Sequence, residues 1–473
     1  MSKLPASRWG HGPIWIAAAL LLAGLADLTR LPLLESAGMS AEGLRALTLI
    51  LAAGILWLTE AIPAPVTAVL VLAWLPLSGL LAFPAAVAAF AGRTLWILIA
   101  VNWMALAVQH SGLHQRFARA FLRLGGNRPS WTVLNTILAS LGVLFLVPIG
   151  VARTTLFTPL IDGMTASNHD RNFRRALFLG ATNTSIVGAG GTMLGGAGVL
   201  YGVGLFEQMA GHTWTYASWL AAFFPLVFAY AVGLWLLLLV LLPTRGSRQA
   251  VEGGDEAGDL DFSRSASGPM FRSALIVGLF LGANLTVGYH GLPVEVISLA
   301  AGSLVFLPGM GLLSWDQAAR ETNWGTIFFF GASMGLASTL EIHGVFEAAS
   351  RAFLALVGDQ GGATVVAVLL VFSLVLRLMV SSYLMFLALI LPVSFQVAAM
   401  VGFDPVWLGM LVMISGNALM LYPMQSPQAM VAYSAGGFRM IDMARVGVPG
   451  AVWMIALSLA AAYFFWPLLG YAP

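Results

Sequence analysis

The chain has no cysteine among its 473 residues, which excludes disulfides and thiolate metal sites. Charge is scarce as well. Only 9% of residues are Asp, Glu, Lys or Arg, against roughly a quarter in a soluble domain. The net charge of +2 gives no electrostatic footprint for nucleic acid. The seven His residues show no metal-ligand spacing, and there is no nucleophile–base pairing and no ATP-binding P-loop, so a membrane enzyme and a primary pump are both disfavoured. The alternating ten-residue segments of a β-barrel are missing. Lys3 and Arg8 precede the first apolar run, but no small-residue cleavage site follows, so no cleavable signal peptide is expected.

What is there is apolar: 59% of the chain is hydrophobic, and the mean hydropathy is +0.89. Runs such as "WIAAALLLAGLA", "VGLWLLLLVLL" and "ALIVGLFLGANL" recur along the length, as in an all-α polytopic membrane protein. Spans are expected near 13–28, 45–61, 65–85, 94–112, 177–209, 219–243, 270–288, 292–312, 323–345, 403–436 and 446–470, about eleven in all. The loop 115–128 carries Arg116, Arg119, Arg123 and Arg128, and the loop 167–175 carries Arg171, Arg174 and Arg175. The positive-inside rule puts both loops, and the N-terminus, in the cytoplasm of a bacterial inner membrane. One apolar segment, 131–165, lies between the two loops and must leave on the side it enters. Its second arm, near 155–165, is too short for a hydrocarbon core of ~30 Å at 1.5 Å per residue. It reads as a re-entrant hairpin whose tip lies in "VPIGVARTTLFTP" (147–159), where proline and glycine break the helix.

The chain then repeats itself. "HSGLHQRFARAFL" (110–122) matches "IHGVFEAASRAFL" (342–354), with Gly112 over Gly344, 232 residues apart. Pro159 matches Pro392 at nearly the same offset, which makes 362–400 a second hairpin. A polar, Gly- and Ser-rich stretch (244–267) reads as a cytoplasmic linker between the halves. The expected organisation is an N-terminal segment with the first helix (1–44), repeat 1 (45–243), the linker (244–269) and repeat 2 (270–473). The second hairpin follows a span that ends outside, so the repeats are inverted, as in secondary transporters with midplane sites. Each hairpin is followed by an interrupted helix: "GATNTSIVGAGGTMLGGAGVLYG" (180–202) and "ISGNALMLYPMQSPQAMVAYSAGG" (414–437). Half-helix starts suit anions, and exposed carbonyls suit cations.

"WLTEAIPAPVTAVLVLAWLPLSGLL" (57–81), "SGLHQRFA" (111–118) and "SPQAMV" (426–431) resemble motifs of the divalent anion–sodium symporters, and the resemblance covers almost the whole chain. It implies carriage of dicarboxylates, tricarboxylates or sulfate, a dimerising scaffold, and a transport domain of hairpins and broken helices that moves like an elevator. The family places Ser-Asn-Thr about ten residues before each hairpin proline. Here those positions hold Ile149-Gly150-Val151 and Ser382-Tyr383-Leu384. Ile149 and Val151 offer sodium no side-chain oxygen, which leaves backbone carbonyls as ligands.

Two intramembrane arginines, Arg153 and Arg377, stand where buried charge demands a function or a partner. One or both are expected to supply fixed positive charge where relatives use sodium. In a purely structural role Arg153 would pair with Asp162 or another acid, or reach water. The candidate substrate-binding residues are Arg153, Thr154, Asn183, Thr184, Arg377, Ser381, Ser382, Tyr383, Gln425 and Ser426. The candidate ion-binding residues are Gly150, Ser185, Gly190 and Asn417. No cofactor is expected apart from sodium, and no partner apart from a small anion, lipid and a second copy of the chain. The function expected is carriage of organic anions, sulfate or sulfonate with coupling shifted toward exchange, uniport or protons. Conventional sodium symport and an anion channel are the alternatives.

Overall fold

The structure is a computed structural model that describes residues 40–59, 61–123, 128–147, 149–166, 170–244, 268–358, 361–380 and 382–473. The expected first span, most of the linker, Glu60, Pro148 and Ser381 lie outside the described residues. Every regular element described is helical. The first half runs through α1 (Ala41–Thr59), α2 (Ala64–Leu77), α3 (Arg93–Ser111) and α4 (Leu113–Arg123). A hairpin follows, made of α5 (Pro129–Val143) and α6 (Gly150–Thr165). Then comes an interrupted pair, α7 (Arg171–Val187) and α8 (Ala197–Ala210), and the long α9 (Tyr216–Leu241).

The second half repeats that order. It begins with α10 (Gly268–Leu285), α11 (Val294–Leu304), α12 (Trp324–Ile342) and α13 (Val345–Val357). Its hairpin is α14 (Gly362–Met379) and α15 (Tyr383–Val401), its interrupted pair is α16 (Pro405–Gly416) and α17 (Pro427–Ser434), and α18 (Met440–Ala460) closes the series. The two matched glycines do the same work in each half. Gly112 ends α3 at φ 73° and Gly344 ends the α12 segment at φ 68°, and in each case the left-handed residue turns the chain into the next helix.

Among the described residues, seven helices have the length and apolarity to cross a membrane. At 1.5 Å per residue, α5 (15 residues) and α6 (16 residues) reach about 22–24 Å, short of a core of ~30 Å. The arms of the second hairpin are longer, at 18 and 19 residues. Two expected spans prove shorter than read. Residues 292–312 supply only the 11-residue α11, after which Gly309 and Gly311 take positive φ. Residues 65–85 stop at Leu77, and Gly79 at φ 72° turns the chain.

Packing ties the halves crosswise. Helix α11 lies along α3 and α2 lies along α12, while α8 lies along α15 and α17 along α6. At one end of this assembly Arg174 pairs with Asp162 at 2.7 Å and Arg175 with Asp442 at 3.3 Å, joining the first hairpin, α7 and α18. Asp162 is thus the partner of Arg174, not of Arg153. Elsewhere, Arg93 on α3 holds Glu207 on α8 at 2.6 Å and Glu295 on α11 at 3.7 Å. Gln208 donates to Ser338 on α12 at 2.9 Å.

Candidate functional site

The two hairpin tips and the two helix interruptions meet at a cavity of about 600 Å³. The hairpins and interruptions bring four helix N-termini to its wall, and the start of α12, capped by Asn323, adds a fifth. Ile149 and Gly150 open α6, Gly196 and Ala197 open α8, Ser382 and Tyr383 open α15, and Ser426 and Pro427 open α17. Each N-terminus carries the equivalent of roughly half a positive charge, because its first N–H groups have no partner within the helix. Side chains cap only one of the four: Ser382 Oγ accepts from the Met385 amide at 3.4 Å. Arg377 is the sole formally charged residue in the described lining, and no Asp or Glu faces it. The formal charge of the described lining is therefore positive.

Each tip is braced against the interruption of the opposite repeat. At Gly150 a Cβ would stand 2.0 Å from the Gln428 amide nitrogen, so the first tip sits against α17. At Gly198 a Cβ would stand 2.7 Å from the Tyr383 ring, so the second tip sits against α8. That ring is fixed in turn, because the phenol donates to the Met413 carbonyl at 2.9 Å. Gly195 is required by backbone alone: a Cβ would lie 2.0 Å from the Ala189 carbonyl oxygen.

Arg153 is 1% exposed and does not line the cavity. Its guanidinium holds four oxygens. Nη1 donates to the carbonyls of Val147 at 2.8 Å and Gly195 at 3.0 Å. Nη2 donates to the Ser185 carbonyl at 2.9 Å, and Nε to Ser185 Oγ at 3.1 Å. The cation thereby ties the first tip to the first helix interruption. Arg377 does the equivalent in the second repeat, from the other arm of its hairpin. Its Nη1 donates to the Val380 carbonyl at 2.5 Å and its Nη2 to the Gln425 carbonyl at 3.2 Å. Its Nε is buried with no partner. Among the described residues, neither arginine has an acidic partner. Both desolvated charges are compensated by carbonyl dipoles, the arrangement that oxygen ligands also offer a metal cation.

The structure brings seven of the expected residues to the cavity: Gly150, Arg377, Ser382, Tyr383, Asn417, Gln425 and Ser426. Several of these side chains are already engaged. Asn417 donates to the Ile186 carbonyl at 2.8 Å, linking the two interruptions. Gln425 Oε1 accepts from the Leu421 and Tyr422 amides at 2.5 and 3.1 Å. Ser426 donates to the Gln428 side-chain oxygen. Thr154, Asn183, Thr184, Ser185 and Gly190 lie behind the wall. Thr154 donates back to the Gly150 carbonyl at 3.4 Å and Asn183 to the Leu179 carbonyl at 2.9 Å. Thr184 Oγ1 is buried without a partner. The Gly190 carbonyl accepts the Trp219 indole N–H at 3.0 Å.

Sequence reasoning missed the facing wall. Leu98, Val101 and Asn102 of α3, with Asn323, Thr326 and Ile327 at the start of α12, complete the cavity. The only available signal was Asn102, a lone amide inside an apolar span, and Asn323, whose side chain caps α12 by accepting from the Thr326 amide at 3.1 Å.

Comparison with known proteins agrees in scale with this architecture. The model of the sodium:sulfate symporter transmembrane region matches residues 14–472. A "Membrane protein" of Cupriavidus necator is 24% identical, covering 98% of this chain and 93% of its own. A sodium-dependent dicarboxylate transporter, SdcS, of Staphylococcus aureus is 22% identical over 95% of this chain and 91% of its own. Among solved structures, the YdaH transporter of Alcanivorax borkumensis superposes with a TM-score of 0.53 at 14% identity, covering 83% of this chain and 89% of that one, a likeness of fold.

Proposed function

The chain belongs to the sodium:sulfate symporter family, whose members are membrane transporters and not enzymes, and from there we propose a secondary carrier of small anions with coupling altered from sodium symport. Its cargo is a di- or tricarboxylate, sulfate or sulfonate. One observation carries the reading: four helix N-termini and the Arg377 guanidinium converge on a cavity with no acidic residue in its described lining. Helix starts and a guanidinium are both anion binders. The substrate residues of this proposal are Arg377, Ser382, Tyr383 and Ser426, with α8 and α17 presenting their amides. The test is counterflow in proteoliposomes. Arg377→Gln should lower uptake at least tenfold and Arg377→Lys should restore part of it. Unaltered uptake in Arg377→Gln would refute the assignment, and uptake that never saturates would point to a channel.

Altered coupling is supported by the place of Arg153. Its guanidinium holds the four oxygens that the first tip and the first interruption would otherwise offer a sodium ion. Ser185 and Gly190, expected as ion ligands, have their carbonyls on Arg153 and Trp219. Arg153 is in this reading a tethered cation and not a substrate contact, and uptake proceeds in sodium-free buffer. Full sodium dependence of the wild type would overturn it. The hairpins and interrupted helices, cross-braced by Arg174–Asp162 and Arg175–Asp442, form the body that travels in an elevator movement. Helices α2, α3, α11 and α12 belong to a scaffold that dimerises in a bacterial inner membrane, with the N-terminus cytoplasmic.

A further inference from the structure

We propose that the scaffold wall of the cavity is the other half of the substrate site, and that it holds the cargo only while the site faces the cytoplasm. Asn102 and Thr326 are the residues that do so. The proposal rests on the carrier reading above and on its division into a travelling body and a scaffold.

The cavity has two walls of different origin. The hairpin tips and interrupted helices supply one, with Arg377 and the starts of α6, α8, α15 and α17. The scaffold supplies the other: Asn102 half-way along α3, and Asn323 and Thr326 at the start of α12. The scaffold wall carries unspent donors. Among the described residues, the Asn102 amide and the Thr326 hydroxyl make no hydrogen bond. A polar group in an apolar span is costly unless water or a cargo meets it. Asn323 caps α12, its side-chain oxygen 3.1 Å from the Thr326 amide, so this wall also presents a helix start. Each of these groups favours an acceptor, such as an oxygen of a carboxylate, carbonyl or hydroxyl. The volume of about 600 Å³ falls within the range that encloses small organic ligands, roughly 300–1,000 Å³. A cargo with one anionic head on Arg377 and a second oxygen-bearing end meets both walls.

The walls do not travel together. In the carrier reading Arg377 moves with the cargo, while α3 and α12 stay. Charge gives the side on which they meet. Helix α3 runs toward the arginine-bearing loop 115–128, which puts Arg93 at its outer end. Body and scaffold are tied at that end: Arg93 holds Glu207 on α8 at 2.6 Å, and Gln208 donates to Ser338 on α12 at 2.9 Å. Ser338 is near the end of α12, so the start of that helix lies toward the cytoplasm, and the cavity reaches it at Asn323 and Thr326. This conformation therefore faces inward. Moving the body outward takes the cargo away from Asn102 and Thr326. These two side chains tighten binding on the cytoplasmic face alone, whereas Arg377 serves both faces.

The experiment is uptake of labelled succinate into right-side-out and inside-out bacterial membrane vesicles, from cells without succinate carriers of their own. Asn102→Leu and Thr326→Val keep the side-chain size and remove the donor. Each should raise the half-saturating concentration about tenfold in inside-out vesicles, as expected for one lost hydrogen bond, and leave it within twofold in right-side-out vesicles. Retained right-side-out uptake also shows that the variants fold. Arg377→Gln should weaken uptake from both faces. Equal weakening on both faces by Asn102→Leu and Thr326→Val would make those residues structural and overturn the proposal. No change on either face, or a change confined to right-side-out vesicles, would overturn it too. If wild type takes up no succinate from either face, the two-walled site fails, and counterflow with sulfate decides the carrier reading separately.

Discussion

Deleting the guanidinium of Arg153 should make the stability of the protein respond to sodium. In Arg153→Ala four hydrogen bonds disappear, and the carbonyls of Val147, Ser185 and Gly195 are left facing one another in a buried space. At roughly 1–2 kcal/mol for each lost bond, the deletion costs about 4–8 kcal/mol in sodium-free buffer. The vacated space is lined by three carbonyl oxygens and Ser185 Oγ, which are hard donors for an alkali cation. Sodium at about thirty times its dissociation constant would return about 2 kcal/mol. The assay is thermal unfolding followed by the fluorescence of the 15 tryptophans, in sodium chloride and in choline chloride. Wild type should melt at the same temperature in both salts, and the variant should melt lower, with part of the loss recovered only in sodium. The reasoning fails if Arg153→Ala is as stable as wild type in choline, because the guanidinium would then not be holding the tip. It fails equally if wild type is itself stabilised by sodium.

Three further outcomes are expected. Gly195→Ala should abolish transport and lower the melting temperature sharply, because its Cβ meets the backbone of Ala189 and no side chain can move aside; wild-type uptake in that variant would disprove the close approach. Glu207→Gln should speed exchange between conformations, since Glu207 ties α8 to Arg93 on α3; with no native cysteine, Asn102→Cys gives an unambiguous maleimide-labelling readout, and an unchanged labelling rate would refute the tie. His114, at the start of α4, is buried, which pushes its pKa below the usual histidine value despite its hydrogen bond to the Val108 carbonyl. The folded state therefore resists protonation, and stability present above about pH 6.5 should fall as the solution is acidified through that value. His114→Gln should flatten this acid limb, and an identical limb in the variant would show that other groups produce it.

Much of the architecture was legible because it is written in residue types with strong local rules. Arginine-bearing loops bounded the segment 131–165, and proline and glycine marked its tip and both interrupted helices. The matched glycines, Gly112 and Gly344, are legible for the same reason, since a left-handed helix end selects glycine. The site was less legible. Arg153 stood out in the sequence, yet its partners are backbone carbonyls, which no side chain announces, so its concealment behind the cavity wall was invisible. The α3 and α12 wall was missed because a hydrophobic span with one asparagine resembles any other until its neighbours are known. The helix starts at Ala197 and Pro427 could be placed, but their convergence depends on tertiary packing between residues more than two hundred apart.

The crosswise bracing of the tips has a consequence for biogenesis. Gly150 rests on Gln428, which the ribosome adds 278 residues later, a delay of roughly 15–55 s at ordinary elongation rates. Over that interval the first hairpin is in the membrane without its lasting neighbour. Arg153 supplies a provisional one, since its carbonyl partners all lie within 42 residues of it in the chain. The buried charge is thus satisfied early and by the same half that carries it. The first repeat can wait in the bilayer, already closed at its tip, for the second to arrive.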